Sequence, residues 1–447
     1  MIRNNLPFLI AIAIIVVIAV LSASCGSGGA DGTEQNSAAP VETTLPPTSA
    51  APTTTVAPTT TTAPTTTTTG APTATTEPPT TSSAPPTTST APTTTSTPPT
   101  TTTVDTAPTD TTTTTATAVS ETVAAARWQR VDGSEECACA DGSDYFYWIR
   151  EGDPDKLVFY LQGGGACFNA ASCSFTAGNY DPTVEESDPF DNPRFWSGIF
   201  DLDNPLNPLA DHSFVVALYC TGDIHLGDNT QAYSSDVTVR HNGFVNASTA
   251  LQTAVERFGG ADEVIVAGTS AGSAAASLYA GLAADLFDEA EISVIADASG
   301  AYPSVPAVNA GIGALWGTFG VVPDWPVNEG LEPADWGLPE LFVQAGRHAP
   351  RIRFSRYDNA FDRTQVFFAG LAGFDAERIN ELMTLNETSI EAAGIDQASF
   401  TAPGNDHGIL PRQSFYDLEV EGVGFLDWIT RFLDGEDVED VACTDCS

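Results

Sequence analysis

Ser270 stands in Gly268-Thr269-Ser270-Ala271-Gly272, after the apolar run Glu263-Val264-Ile265-Val266-Ala267 and before the Ala- and Leu-rich run 271–287. A Gly-x-Ser-x-Gly between a strand and a helix leaves a serine hydroxyl exposed on a sharp turn, where Oγ can attack a carbonyl. The glycines let the backbone turn with no Cβ in the way. The N–H of Ala271 is then placed to meet the oxyanion that forms. A tight turn with a capping serine gives the same five letters. The strand before and the helix after turn the motif into a catalytic candidate.

A serine nucleophile needs a base, and the base needs an acid to orient it. The single lysine, Lys156, has Asp153 three residues before it, so a Ser-x-x-Lys arrangement is excluded. The base must be one of five histidines: His212, His225, His241, His348 or His407. Where the chain order is serine, acid, histidine, only His348 and His407 follow Ser270, and only His407 follows the acids near residue 360. Three acids are candidates: Asp297, Asp358 and Asp362. Asp297, in Asp297-Ala298-Ser299-Gly300, reads as part of a structural turn, while strand length alone selects Asp358. His225, in a Gly/Asp-rich loop, is a candidate for lining the substrate site; a solvated loop histidine is the plainer alternative.

The elements that must hold these groups alternate. Tyr145 to Arg150 and Lys156 to Leu161 read as strands joined by a hairpin-like turn at Gly152-Asp153-Pro154-Asp155. The second runs into Gln162-Gly163-Gly164-Gly165-Ala166-Cys167, whose glycines expose backbone N–H groups; Gly164 and Gly165 are the oxyanion candidates beside Ala271. No lysine follows, which excludes a phosphate-binding P-loop. Further strands are expected at Ser213 to Cys220, Glu291 to Ala296, Ile352 to Tyr357 and Ser399 to Ala402, with helices at Gly243 to Phe258, Asp375 to Leu385 and Val423 to Leu433. The Trp- and Pro-rich stretch from Ala301 to Pro339 has little periodicity and suits a cap or wall over the site. This alternation predicts an α/β fold, a mostly parallel sheet with helices on both faces.

Composition divides the 447 residues into three parts. Residues 1–25 read as an export signal, with Leu21-Ser22-Ala23-Ser24-Cys25 similar to a bacterial lipoprotein cleavage site and Cys25 the lipidated residue. Residues 26–123 are Thr, Pro, Ala and Ser, too poor in apolar side chains to offset the entropy of ordering; they read as a disordered stalk. Residues 124–447 are long enough for one large core. The formal net charge of −42 repels nucleic acid, and a membrane is expected only through an anchor at Cys25. A monomer is expected. Against that acidity, Arg347, Arg351, Arg353, Arg356 and Arg363 gather near the acid strand, either for an anionic substrate or for pairing with Asp and Glu. Export makes disulfides the default for the seven cysteines besides Cys25, an odd number that leaves one thiol free. Cys167–Cys173 would stiffen the glycine loop, and disulfides joining Cys137-x-Cys139 to Cys443-x-x-Cys446 would tie the two ends of the domain. The latter two pairs are also four thiolates that could hold zinc.

The motifs together resemble one family. Leu161-Gln162-Gly163-Gly164-Gly165-Ala166-Cys167-Phe168-Asn169, Tyr219-Cys220-Thr221-Gly222-Asp223, Gly268-Thr269-Ser270-Ala271-Gly272, Asp297-Ala298-Ser299-Gly300 and Phe361-Asp362-Arg363-Thr364-Gln365 are similar, in that order, to motifs of pectin acetylesterases and the Notum carboxylesterases. The resemblance implies an α/β-hydrolase-like fold, a Ser270–Asp362–His407 triad, ester hydrolysis through an acyl-enzyme and no metal or other cofactor. It selects Asp362 because an aromatic precedes it and Gln365 lies three residues on. Gly165 and Ala166 stand where the family often has a Trp, so the substrate wall is expected to be less aromatic. The expected protein is an exported bacterial esterase, on the cell surface or secreted, acting on an ester such as the O-acetyl groups of a polysaccharide. The alternative is a catalytically inactive domain that binds or displays glycans on its stalk.

Overall fold

The computed structural model describes residues 128–446; the expected signal segment, the stalk and the first residues of the domain lie outside this range. Strand-forming runs that are buried on both faces build the centre. Leu157–Leu161, Val264–Ala267 and Ile292–Ala296 are almost wholly excluded from solvent. Such continuous apolar runs suit a parallel sheet covered by helices on both sides.

The main sheet has nine strands: β1 (Gln129–Asp132), β2 (Phe146–Arg150), β3 (Asp153–Leu161), β4 (His212–Ala217), β5 (Glu263–Thr269), β6 (Glu291–Asp297), β7 (Arg353–Asn359), β8 (Gln397–Ala402) and β9 (Val441–Ala442). Their spatial order is β1-β2-β4-β3-β5-β6-β7-β8-β9. The β1–β2 and β2–β4 pairs are antiparallel and the others parallel. This is an α/β-hydrolase-like sheet. Helices α1 (Gly243–Phe258), α2 (Ala271–Leu286), α3 (Pro306–Trp316), α4 (Leu338–His348), α5 (Arg363–Leu371), α6 (Ile379–Ala392) and α7 (Phe425–Leu433) connect or cover it. Among the described residues no helix is long and apolar enough to cross a membrane.

One expected connection is different. Gly152-Asp153-Pro154-Asp155 does not close a hairpin, because β4 lies between β2 and β3. The Gly152 N–H donates to Ser213 Oγ and the Asp153 N–H to the Asp211 carbonyl, so the segment crosses the start of β4. Both flanking strands satisfy their ladders on β4 instead of on each other.

The stretch 301–339 is not structureless. It forms α3 and three short 3-10 turns, tied down by Trp325 Nε1 to Asp285 (2.8 Å) and Asn229 Nδ2 to the Leu315 carbonyl (2.9 Å). Its low periodicity follows from its position: α3 offers apolar residues to a cavity as well as to the body of the domain.

Candidate active site

Ser270 sits between β5 and α2 with φ 57° and ψ −117°, a conformation rare for a residue with a Cβ. Strain of this kind persists only where the surroundings fix it. Here the Ser270 N–H donates to the Asp297 carbonyl at 2.7 Å. The preceding Thr269 is held too: its Oγ1 accepts from Tyr160 Oη (2.9 Å) and donates to Asp297 Oδ2 (2.7 Å). Gly272 must be glycine because a Cβ there would lie 2.0 Å from the Leu161 carbonyl oxygen.

The glycine loop leaves β3 beside this turn. Gln162 anchors its start: Oε1 accepts the Tyr219 N–H (2.8 Å) and Nε2 donates to the Phe190 carbonyl (2.7 Å). Tyr219 Oη donates to the Gly165 carbonyl (3.0 Å) and accepts from the Ile224 N–H (2.7 Å). Gly165 has φ +84°, and a Cβ there would lie 1.9 Å from the Asn179 carbonyl oxygen. The far end is fixed by the Cys167–Cys173 disulfide and by Trp316 Nε1, which donates to the Cys167 carbonyl at 2.8 Å. Among the described residues the N–H groups of Gly164, Gly165 and Ala271 meet no backbone or side-chain acceptor.

Asp362 ends the turn after β7 and caps α5: its Oδ1 accepts the N–H groups of Thr364 (2.8 Å) and Gln365 (3.0 Å). Its Oδ2 lies 2.6 Å from His407 Nδ1. The carboxylate is fully buried, while the His407 side chain keeps 19% of its surface exposed. An acid on Nδ1 leaves Nε2 as the free face of the ring, the arrangement a general base needs.

Asp297 joins the two halves. Its carboxylate accepts from the N–H groups of Ile409 and Leu410, at 2.9 Å and 3.0 Å, as well as from Thr269, while its backbone carbonyl holds Ser270. The turn reading of Asp297 missed this link between the serine turn and the histidine loop. An acid that ends a buried strand with no basic residue beside it was the available signal. Desolvation by burial raises its pKa, against the lowering effect of the Thr269 and backbone donors and of the His407 charge. Asp358 contacts Arg356 and Gln365, not a histidine.

The other histidines lie elsewhere. His225 does not present its side chain to the site: it is fully buried, with Nε2 2.9 Å from the Gln162 carbonyl oxygen and its ring against Tyr219. Burial pushes its pKa down to about 4, so it stays neutral under the glycine loop. Its neighbours Ile224 and Leu226 face the site instead. His348 pairs with Asp285 and stacks on Trp325.

An apolar cavity of about 150 Å³ opens beside Ser270, Ala271 and Gly165. Its wall carries Phe168, Trp316, Phe319, Trp336, Phe368 and Phe374. The expectation of a less aromatic wall is corrected: the rings come from the cap, from α5 and from Phe168 and Phe374, not from the loop positions 165 and 166. A more open and more polar groove, bounded by Gly164, Asn179, Asp181, Phe190 and Phe367, lies across the glycine loop.

Residues 111–312 match the family model described as pectinacetylesterase. This match and the shared fold support assignment of the chain to the pectin acetylesterase/Notum family. The chain is accordingly a carboxylesterase-type hydrolase. Comparison with the curated proteins finds none that matches. Two crystal forms of the Wnt deacylase Notum from Drosophila share the fold, with 16% identity and a TM-score of 0.53; the alignments cover 71% of this chain and 96% and 95% of theirs.

The disulfides are partly as expected. Cys167 pairs with Cys173, but the two end clusters are not joined: Cys139 pairs with Cys220 and Cys443 with Cys446. Cys137 is a buried free thiol. The Cys139–Cys220 bond ties the start of the domain to the Tyr219 loop, and so to the floor of the site. Three of the five arginines do not converge on the site either. Arg351 donates to the Ala284 and Phe287 carbonyls, Arg353 to those of Phe432 and Glu436, and Arg356 is an internal ion-pair partner. Only the last follows the pairing with acidic side chains read from the sequence.

Proposed function

We propose that the chain is an exported serine carboxylesterase using Ser270 as nucleophile, His407 as base and Asp362 as the acid that orients it. The observation that carries the reading is the 2.6 Å contact between His407 Nδ1 and the buried Asp362 carboxylate, on a loop that Asp297 ties to the serine turn. In the first step His407 Nε2 takes the Ser270 Oγ proton as Oγ adds to the ester carbonyl carbon. The tetrahedral oxyanion is met by the N–H groups of Gly164, Gly165 and Ala271. Collapse breaks the C–O bond to the alcohol, which leaves with the proton from His407. Water then repeats the sequence on the acyl-enzyme, releasing the acid and restoring Ser270.

The acyl group occupies the apolar cavity and the alcohol the more polar groove. An apolar cavity of about 150 Å³ holds a molecule the size of benzene. That room suits an acyl chain of about six carbons better than acetyl, so short- to medium-chain esters are favoured over O-acetyl groups. An acyl-binding site also accords with the name of the Notum structures, a Wnt deacylase. Three disulfides among the described residues support an oxidising compartment. Within this reading residues 1–25 direct export, Cys25 carries the lipid anchor, 26–123 form the spacer and 124–447 the esterase domain.

The test is the hydrolysis of p-nitrophenyl esters from acetate to decanoate by wild type and Ser270→Ala. Activity lost in the variant, with a kcat/KM optimum near hexanoate in wild type, is expected. A profile highest at acetate would overturn the acyl assignment. No hydrolysis at any length would favour the glycan-display alternative.

A further inference from the structure

Behind Asp362 lies a second carboxylate that the mechanism above does not use. Asp358 is 1% exposed and sits on β7 with Arg356 Nε 3.0 Å from its Oδ2. Its Oδ1 accepts the Gly300 N–H (3.0 Å) and Gln365 Nε2 (2.8 Å). The same Gln365 Nε2 reaches Asp362 Oδ2 at 3.2 Å, and Gln365 Oε1 accepts the Ala301 N–H at 2.9 Å. Gln365 is therefore fully used: one amide hydrogen goes to each carboxylate, and its oxygen goes to the backbone. Arg356 is fully buried too, with Nη1 3.2 Å from Asn386 Oδ1 and Nη2 3.2 Å from Glu387 Oε2.

We propose that Arg356 and Asp358 are a matched pair of positioning residues: the ion pair fixes Gln365, and Gln365 fixes the Asp362 oxygen that faces His407. This rests on the Ser270–Asp362–His407 reading. The chemistry follows from donor and acceptor counting. Asp358 stays buried while facing Arg356 with one oxygen and Gln365 and Gly300 with the other. Asparagine in its place has one oxygen and one NH₂. It must turn the NH₂ either to the guanidinium or to Gln365 and Gly300, and in both cases donors face donors. Removing the guanidinium as well frees the NH₂ side, so that the asparagine oxygen can again hold Gln365. The pair is thus expected to be damaged singly and largely repaired jointly, a sign opposite to the accumulating loss that two unrelated core changes give.

The experiment uses p-nitrophenyl hexanoate with purified wild type, Asp358→Asn, Arg356→Leu/Asp358→Asn and Ser270→Ala, with melting temperatures recorded beside kcat and KM. Asp358→Asn should lower kcat about 10- to 100-fold with KM within about twofold, since substrate contacts are untouched. The double variant should recover to within about threefold of the wild-type kcat. A single variant with wild-type kcat, or a double variant slower than the single, overturns the proposal. If Asp358→Asn does not fold, the double variant decides alone: a kcat more than about threefold below wild type overturns it. Failure of the triad reading looks different, because Ser270→Ala would then keep wild-type activity whatever residues 356 and 358 do, and the proposal would fall with it.

Discussion

Three carboxylates crowd one end of the sheet, and the structure gives each different partners. Asp362 faces His407, Asp358 faces Arg356 and Gln365, and Asp297 gathers backbone donors from the histidine loop. Asp362→Asn should fold normally and lose on the order of 10⁴ in kcat, because the amide favours the wrong histidine tautomer. Steady-state kinetics would check this, and a larger loss in Asp358→Asn than in Asp362→Asn would reverse the assignment. The sequence separates Asp358 from Asp362 only through the aromatic before and the glutamine after Asp362, not through strand length. The role of Asp297 was not legible, because nothing local says that a carboxylate at residue 297 will meet N–H groups at 409 and 410. His225 misled for a related reason: a Gly- and Asp-rich loop looks solvated, yet Tyr219 and Gln162 fold it inward.

At the scale of elements, the strands nearest Ser270 were the most legible. The helix at Gly243–Phe258 matches its expected bounds, and β5 and α2 differ from theirs by no more than two residues. Their apolar runs are long and their ends are marked by glycine or a polar residue. Helix α5 was missed, since its start is set by the side chain of Asp362 capping Thr364 and Gln365, and its apolar period is weak. The cap was read as irregular because α3 serves a cavity that has no period of its own. That cavity gives a direct prediction. Ile312 lines it from α3, and Ile312→Trp should fill it. The kcat/KM for hexanoate should then fall by about tenfold or more, while acetate keeps most of its rate, the scale expected for lost methylene contacts. Equal losses on both esters would mean that the chain lies elsewhere.

For the whole molecule, buried ionisable groups pull in opposite directions. Burial raises Asp191, Asp223 and Asp358 to about 6, so each binds its proton more readily folded than unfolded. Stability from these groups is lost as pH rises through about 4 to 6. Burial lowers His225 and His241 to about 4, so the unfolded chain binds those protons first. Stability from the histidines is lost as pH falls from about 6.5 towards 4. The net charge of −42 adds self-repulsion that acid relieves. These contributions offset, so the melting temperature should shift by no more than about 5 °C between pH values of about 7.5 and 5.5. A fall of about 10 °C or more on acidification would show that the histidines dominate. Neither the offset nor the pairing of Cys139 with Cys220 was legible in composition, which counts charges and thiols without locating them. The most direct test of the central claim is made on the intact enzyme. Wild type is mixed with p-nitrophenyl hexanoate, quenched in acid within the first turnovers, and mapped by peptide mass. A hexanoyl group on the peptide carrying Ser270, absent from Ser270→Ala, is the predicted result. An active enzyme with its acyl group on another residue, or an equally active Ser270→Ala, would contradict it.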